Sequence, residues 1–453
     1  MQDQEKSSFM NSVLPEWVYQ ASPAAMALLV LVALLVFRKV PLRYNMRNVL
    51  VRWRVTVLTA SAFALIVALL TVMLAFVNGM YRLTEGSGQS GNVIVLSDGA
   101  TDELFSNLSY SDTSNIEQEP GVERDEEGRA LCSREVYIIV NQPVPNAPPG
   151  RPKRRFVQVR GVDDPRLAAR VHGLSLIEGQ WFSEAGVEEL PSADGRVGQQ
   201  VIQAILGEAV AVELAKGLYD KPRLEVGDLF ELGPRTWKVV GILGPGSSTF
   251  GSEIWGKFQV VGPLFGKERY TSIVLRTADL DSARRLAEHL TKNFKQAAVQ
   301  AQPEWDYYKK LNATNEQFLV SIMFVAAVMA VGGVFSIMNT MFAAISQRIK
   351  DIGVLRVLGY SRWQILASFF LESLLLALAG GLVGCAVGSL ADGWTASSIV
   401  SSGQGGGKTV ILRLVVDVRT LAVGLTFSLV MGAVGGILPA VSAMRIRILD
   451  ALR

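Results

Sequence analysis

Five stretches of this 453-residue chain are too long, too apolar and too free of charge to be anything but membrane-crossing helices. Spanning a hydrocarbon core takes ~20 mostly apolar residues at ~1.5 Å rise each. Residues Trp17–Phe37, Val55–Met80, Phe318–Ile345 and Thr420–Met444 reach that length without a single Asp, Glu, Lys or Arg, and Trp363–Leu390 does so with only Glu372. The hydrophobic content of 49% is concentrated in these runs. The expected fold class is a membrane protein with an α-helical transmembrane region of five predicted spans and a large α+β extracytoplasmic domain.

The placement of charge orients the spans. Arg38, Lys39, Arg43, Arg47, Arg52 and Arg54 lie between the first two runs with no acidic residue among them. Arg348, Lys350, Arg356 and Arg362 fill the gap between the third and fourth, and Arg445, Arg447 and Arg453 follow the fifth. Cytoplasmic loops carry the Lys/Arg excess. One arrangement puts all three segments inside: N-terminus out, large loop out, C-terminus in. The first run has acids (Asp3, Glu5, Glu16) before it and bases after it, the reverse of a secretory signal, and is expected to be retained as an anchor.

Tyr81 to Gln317 reads as one extracytoplasmic segment. Strands are predicted at Asn92–Ser97, Glu135–Asn141, Phe156–Val162, Phe230–Leu232, Thr236–Leu243 and Thr271–Arg276, and helices at Ala204–Lys216 and Asp281–Phe294. An acidic stretch (Glu117–Glu127) and a proline-rich, then basic one (Asn141–Arg155) read as solvated loops, the latter with the alternative of a flap for a partner or cargo. The expected organisation is an extra anchor over 1–40, an amphipathic lead-in helix and second span over 41–80, the outer domain over 81–317, and three spans with a cytoplasmic segment 346–362 over 318–453.

Little in the chain suggests chemistry of its own. Gly403-Gln404-Gly405-Gly406-Gly407-Lys408-Thr409 imitates a phosphate-binding loop, but Ser402 stands where the tight turn needs glycine. A flexible outer loop is the better reading, so no cofactor is expected in this chain. Neither His172 nor His289 has metal-ligand spacing, and no nucleophile motif accompanies them. Basic residues on the inner face suit anionic lipid better than nucleic acid. Glu372 is costly in a span and should face a partner group, such as an arginine near Ser346–Arg362. Gly384 with Gly388, and Gly432 with Gly436, are small-xxx-small pairs that suit close packing within the chain or a dimer seam, with Pro439 just beyond. A straight helix over Phe318–Ile345 would be ~42 Å long, more than the ~30 Å core.

The polar interval itself is patterned. Arg348-x-x-Asp351-Ile352-Gly353-x-Leu355-Arg356-x-x-Gly359 resembles the cytoplasmic coupling segment of MacB/FtsX-type ABC transporter permeases. Gly436-x-x-Pro439-Ala440-x-x-Ala443 and Asp450-Ala451-Leu452-Arg453 resemble that family's ending, Leu42–Arg54 its N-terminal amphipathic helix, and Leu206-Gly207-Glu208 and Val226-Gly227-Asp228 its periplasmic core domain. Asp351 stands where the family usually has glutamate, Ile448-Leu449 replaces a proline-containing pair, and Trp17–Phe37 is additional to the common four spans.

The resemblance implies a bacterial inner-membrane permease, itself no enzyme. ATP and Mg would be bound by a separate cytoplasmic ATPase gripping Ser346–Gly359. Ile349, Ile352 and Leu355 would sit in its groove while Arg348, Asp351 and Arg356 fix orientation. A second permease chain would pair with this one, and a periplasmic adaptor and outer-membrane component could join. Export or extraction of a lipoprotein, peptide, lipid or drug-like compound is one implied role, and control of a periplasmic cell-wall hydrolase without transport is the other.

Overall fold

The computed structural model describes residues 53–111, 113–143, 154–190, 199–216, 221–244, 248–311, 313–400 and 408–446. In chain order, α1 is Trp53–Glu85, followed by β1 (Asn92–Ser97), β2 (Cys132–Pro143), β3 (Arg154–Val162), α2 (Pro165–His172), β4 (Ser175–Gly179), β5 (Val187–Leu190) and β6 (Gln199–Gly207). Next come α3 (Glu208–Ala215), β7 (Leu229–Leu232), β8 (Arg235–Gly244), β9 (Glu253–Lys257), α4 (Phe258–Leu264), β10 (Ser272–Arg276), α5 (Leu280–Asn293) and β11 (Val299–Pro303). The last are α6 (Glu304–Leu311), α7 (Ala313–Ser346), α8 (Ile349–Val357), α9 (Arg362–Ser389), β12 (Thr395–Val400), β13 (Lys408–Arg413) and α10 (Val418–Met444). They form two units. One comprises the described residues up to Asn78, Phe318–Trp394 and those from Leu414 onward; the other comprises Gly79–Gln317 and Thr395–Arg413.

The helical unit carries the membrane signal. Four stretches are long and apolar enough to cross: Thr56–Leu83, Gln317–Ser346, Arg362–Ser389 and Val418–Met444. The fifth expected span, Trp17–Phe37, and most of the lead-in helix lie outside the described residues. Glycines set the helix spacing. A Cβ on Gly380, Gly384 or Gly388 of α9 would fall 2.5–2.7 Å from Ala60 O, Ala64 O or Thr71 Cβ of α1. On Gly432 or Gly436 of α10 it would meet Ala377 Cβ at 2.4 Å or Ser373 Oγ at 2.0 Å on α9. These small-residue pairs are therefore occupied by packing within the chain, which lets backbones approach closely. Ser428 Oγ adds a bond to Ala377 O at 2.7 Å.

The other unit is built on one eleven-stranded sheet in the order β11-β1-β10-β2-β3-β9-β6-β8-β4, with β5 added beside β6 and β7 beside β8. Pairing is antiparallel except for β3–β9 and β6–β8. One apolar core gathers under α3 and the β6–β8 end, and another between α5 and the β1–β10 end.

Two readings of the sequence are corrected here. Ala204–Lys216 is not one helix: β6 runs to Gly207 and only Glu208–Ala215 is helical. Val201, Ile202, Ala204, Ile205 and Leu206 are all buried, so this central strand is apolar on both faces apart from Gln203, a pattern that periodicity cannot tell from a helix. Gly207 ends it where a Cβ would lie 2.3 Å from Gly251 O. Of the flexible outer loop expected at Gly403–Thr409, Lys408 and Thr409 belong instead to strand β13, and the rest lies outside the described residues. β12 and β13 form an antiparallel hairpin belonging to the sheet unit, where Ile411 enters the β6–β8 core and its N–H donates to Ser252 Oγ at 2.9 Å. Gly403–Gly407 and residues 144–153 lie outside the described residues.

A buried ionic cluster joins the parts of the sheet unit. Arg160 on β3 is 1% exposed and donates from Nε and Nη2 to both carboxylate oxygens of Glu253 on β9, at 2.6 and 2.8 Å. Its Nη1 donates to Glu103 at 2.9 Å and to Glu135 on β2. His172, the last residue of α2, places Nε2 2.6 Å from Glu135 and Nδ1 3.2 Å from Glu304 at the start of α6. Glu304 also accepts from the Gln89 N–H and Asn92 Nδ2, so it ties the chain after α1 to α6. With a carboxylate at each ring nitrogen, His172 is held as the imidazolium. Burial opposes that charge, but Glu135 and Glu304 more than offset it and raise the pKa to about 10. Burial likewise pushes Glu135 up, while His172 and Arg160 overcome it and hold it at about 2.

These shifts set the pH dependence of stability. His172 lies above its ordinary 6.5, so its contribution is complete below that pH and is lost as pH rises toward 10. Glu135 lies below its ordinary 4.5, so its contribution is complete above that pH and is lost on acidification toward 2. Denaturant unfolding of the full chain in detergent, followed by fluorescence of the buried Trp237 and Trp255, should give a midpoint that falls between pH 7 and 9.5. In His172→Gln the midpoint should be lower at pH 7 and nearly flat across that interval.

Candidate functional site

The interval between the second and third described spans becomes a short helix wedged between two turns. α7 ends at Ser346, whose hydroxyl donates to its own helix at Phe342 O. Arg348 then occupies the N-cap of α8 without capping it through its side chain. Its guanidinium turns inward, where Nη1 donates to Glu372 Oε2 on α9 at 3.0 Å, with both side chains under 10% exposed. A charge pair this buried is costly to break, because either partner alone is left uncompensated.

α8 ends after Val357, and Gly359 follows at φ +97°, a left-handed conformation that suits glycine. The Tyr360 N–H returns to Leu355 O at 3.1 Å. Ser361 opens α9 with a capping box, bonding Gln364 in both directions.

The side chains divide differently from the sequence expectation. Ile352, assigned above to an outward groove contact, is 2% exposed and packs in the helical unit's own core with Ile345, Ile365 and Phe369. Arg348, assigned to orientation at an outer surface, is consumed by Glu372. Gly353 is buried, while Ile349, Leu355 and Arg356 are half-buried, and Arg356 Nε has no hydrogen-bonding partner. The outward face consists of Lys350, Asp351, Val354, Val357 and Leu358, with Trp363 just beyond. Val357 and Leu358 are 62% and 70% exposed.

Sequence reasoning missed Val354, Val357 and Leu358 because the motif drew attention to its fixed positions. The signal lay in the period of α8 itself: Ile352 shares a face with Ile349 and Arg356, which puts Val354 and Val357 on other faces once Ile352 is buried. Pro439 lies buried inside α10. The glycine run that imitates a phosphate loop leads into strand β13, whereas a phosphate cradle needs a helix N-terminus there. Among the described residues no cluster of His, Cys, Asp and Glu could hold a metal ion.

Two families match the chain: the MacB-like periplasmic core domain over residues 56–293, just over half of it, and the FtsX-like permease C-terminal region over residues 323–448. Among curated proteins it is 26% identical over 310 residues to the uncharacterized ABC transporter permease YknZ of Bacillus subtilis, covering 65% of this chain and 69% of YknZ. It is 23% identical over 401 residues to the macrolide export ATP-binding/permease protein MacB of Shewanella sp. strain ANA-3, covering 82% of this chain and 57% of that protein. The chain thus spans little more than half the length of this MacB. Among solved structures, the extracellular domain of YknZ aligns with 47% of the chain at 16% identity and a TM-score of 0.31. The periplasmic region of MacB from Actinobacillus actinomycetemcomitans aligns with 50% at 15% identity and 0.32. With one family covering more than half of its length and the other covering the helices on either side of α8, this chain belongs to the MacB/FtsX-type ABC transporter permeases.

Proposed function

We propose that this chain is the permease subunit of an ABC transporter in which a separate cytoplasmic ATPase, holding ATP and Mg, grips α8 and drives a periplasmic domain to export or extract a substrate. The observation that carries this reading is the buried Arg348–Glu372 pair: it fastens α8 to α9, so a load applied to α8 is delivered to a membrane helix rather than absorbed in a slack loop. The apolar triad Val354, Val357 and Leu358, flanked by Lys350 and Asp351, supplies the docking face. Arg356 lies half-buried beside that face. The names of the relatives support the assignment, YknZ as an ABC transporter permease and MacB as an ATP-binding/permease protein for macrolide export. In this reading the Lys/Arg-rich interval lies in the cytoplasm and the sheet unit on the other side.

Two measurements test it, both on the full chain co-purified with its ATPase and reconstituted in vesicles. Val357→Asp with Leu358→Asp leaves the core of the helical unit untouched and should abolish co-purification and vanadate-sensitive ATPase stimulation; stimulation at the wild-type level would refute the docking face. Glu372→Leu should leave Arg348 buried and uncompensated, costing roughly 3–5 kcal/mol and cutting stimulation several-fold, whereas the exchange Arg348→Glu with Glu372→Arg should recover part of both. If the exchange recovers folding but no stimulation, the pair is structural only and does not carry load.

A further inference from the structure

The β6–β8 end of the sheet curls toward closure and stops short of it. From β2 to β7 the strand order runs through β3, β9, β6 and β8. Yet Gln142 Nε2 on β2 donates to Glu231 O on β7 at 2.6 Å. Among the described residues these two end strands share no ladder, and a cleft of about 390 Å³ lies where they meet. Clefts that hold small ligands span ~300–1,000 Å³.

Register gives this seam two main-chain edges. The Val239 N–H donates to Asp228 O at 2.9 Å, so the alternation of an antiparallel ladder joins Phe230 to Trp237 and Leu232 to Arg235 by hydrogen bonds. Leu229 and Glu231 therefore turn N–H and C=O away from β8. On β2, Glu135 O accepts from the Thr271 N–H and the Tyr137 N–H donates to Thr271 Oγ1, both at 2.8 Å, so alternate residues from Glu135 onward face β10. The β10 ladder ends at Glu135, which leaves Ile139 and Asn141 facing outward past its end. The cleft itself is firmly built. Arg155 Nη1 donates to Glu213 O and Leu214 O at 3.2 and 3.5 Å, fastening the β2–β3 ribbon to the end of α3. Val140, Leu214, Leu229 and Phe230 supply an apolar wall. The Gln142 amide sits on a carbonyl of the β7 edge, where the N–H of an added strand would sit.

We infer that this seam binds an extended peptide, whose main chain pairs with the Glu231 edge of β7 and the Asn141 edge of β2 while one apolar side chain meets Val140 and Leu229. Strand addition of this kind draws affinity from main-chain bonds and selectivity from the side-chain pocket. Two such short edges offer far less than the ~1,200 Å² that a lasting protein partner buries. The occupant is thus a passing polypeptide rather than a fixed subunit. The inference rests on the proposed permease role only for the source of that peptide, an exported chain.

The test uses the full chain in detergent, without the ATPase, and the fluorescence anisotropy of a fluorescein-labelled synthetic peptide of alternating valine and threonine. The wild-type chain should bind it saturably. The same peptide N-methylated throughout keeps its side chains but has no main-chain donor, and should bind at least about fivefold more weakly. Glu231→Pro removes an N–H that β8 does not use, a change an edge strand tolerates, and should weaken binding about fivefold, whereas Glu231→Ala should not. Leu229→Lys, on the exposed part of the apolar wall, should weaken it too and serves if the proline variant fails to fold. No saturable binding by the wild-type chain, equal binding of the N-methylated peptide, or wild-type affinity in either folded variant overturns the seam. Because no ATPase is present, such a failure spares the docking face, and wild-type ATPase stimulation by Val357→Asp with Leu358→Asp rejects the docking face alone.

Discussion

The sheet unit depends on a single guanidinium. Arg160 reaches carboxylates from three separate stretches, at Glu103, Glu135 and Glu253, and lies 5.2 Å from the ring centres of both Tyr137 and Phe250. Buried carboxylates need a paired cation, and apolar packing alone would not specify which stretches they must join. His172 extends the same arrangement to Glu304 and so to the two places where the chain passes between sheet and long helices. Ionic bonding of this kind is directional, and it gives a broad sheet a fixed centre.

How much of this could be read from sequence follows from what each feature looks like locally. The spans were plain because hydrocarbon imposes an absolute length and polarity on a segment. Strands such as Asn92–Ser97 and Phe156–Val162 were legible from β-branched runs bounded by turns. β6 was not, because a doubly covered strand has no alternation to show. The Arg160 cluster was invisible: its members are scattered from Glu103 to Glu304, and each alone resembles an ordinary surface residue. Of the coupling segment, the location and the need of Glu372 for a partner came through; the orientation of α8 did not, since it is fixed by Ile352 finding Ile365 and Phe369 across the turn.

The two units solve opposite electrostatic problems with the same device. In the sheet unit, the four acids outnumber their two cations, and the charges of Arg160 and His172 offset the cost of burying them. In the helical unit, Arg348 and Glu372 meet one to one beside a segment with otherwise exposed charge. Arg348 stands at a chain reversal, whereas Arg160 stands within strand β3, paired on both sides. A lysine would serve poorly at Arg160, because only a planar fork can face Glu253 with two bonds and Glu103 with a third.

The hairpin β12–β13 has a bearing on how the molecule comes into being. Ile411 completes a core whose other members end at Val261, so that core stays open while the whole of α7, α8 and α9 is made. At typical synthesis rates the gap lasts on the order of ten seconds. During that time the nascent sheet exposes the site that Ile411 will fill. Biogenesis of this protein is thereby ordered: the larger unit reaches its final form only after most of the membrane helices exist.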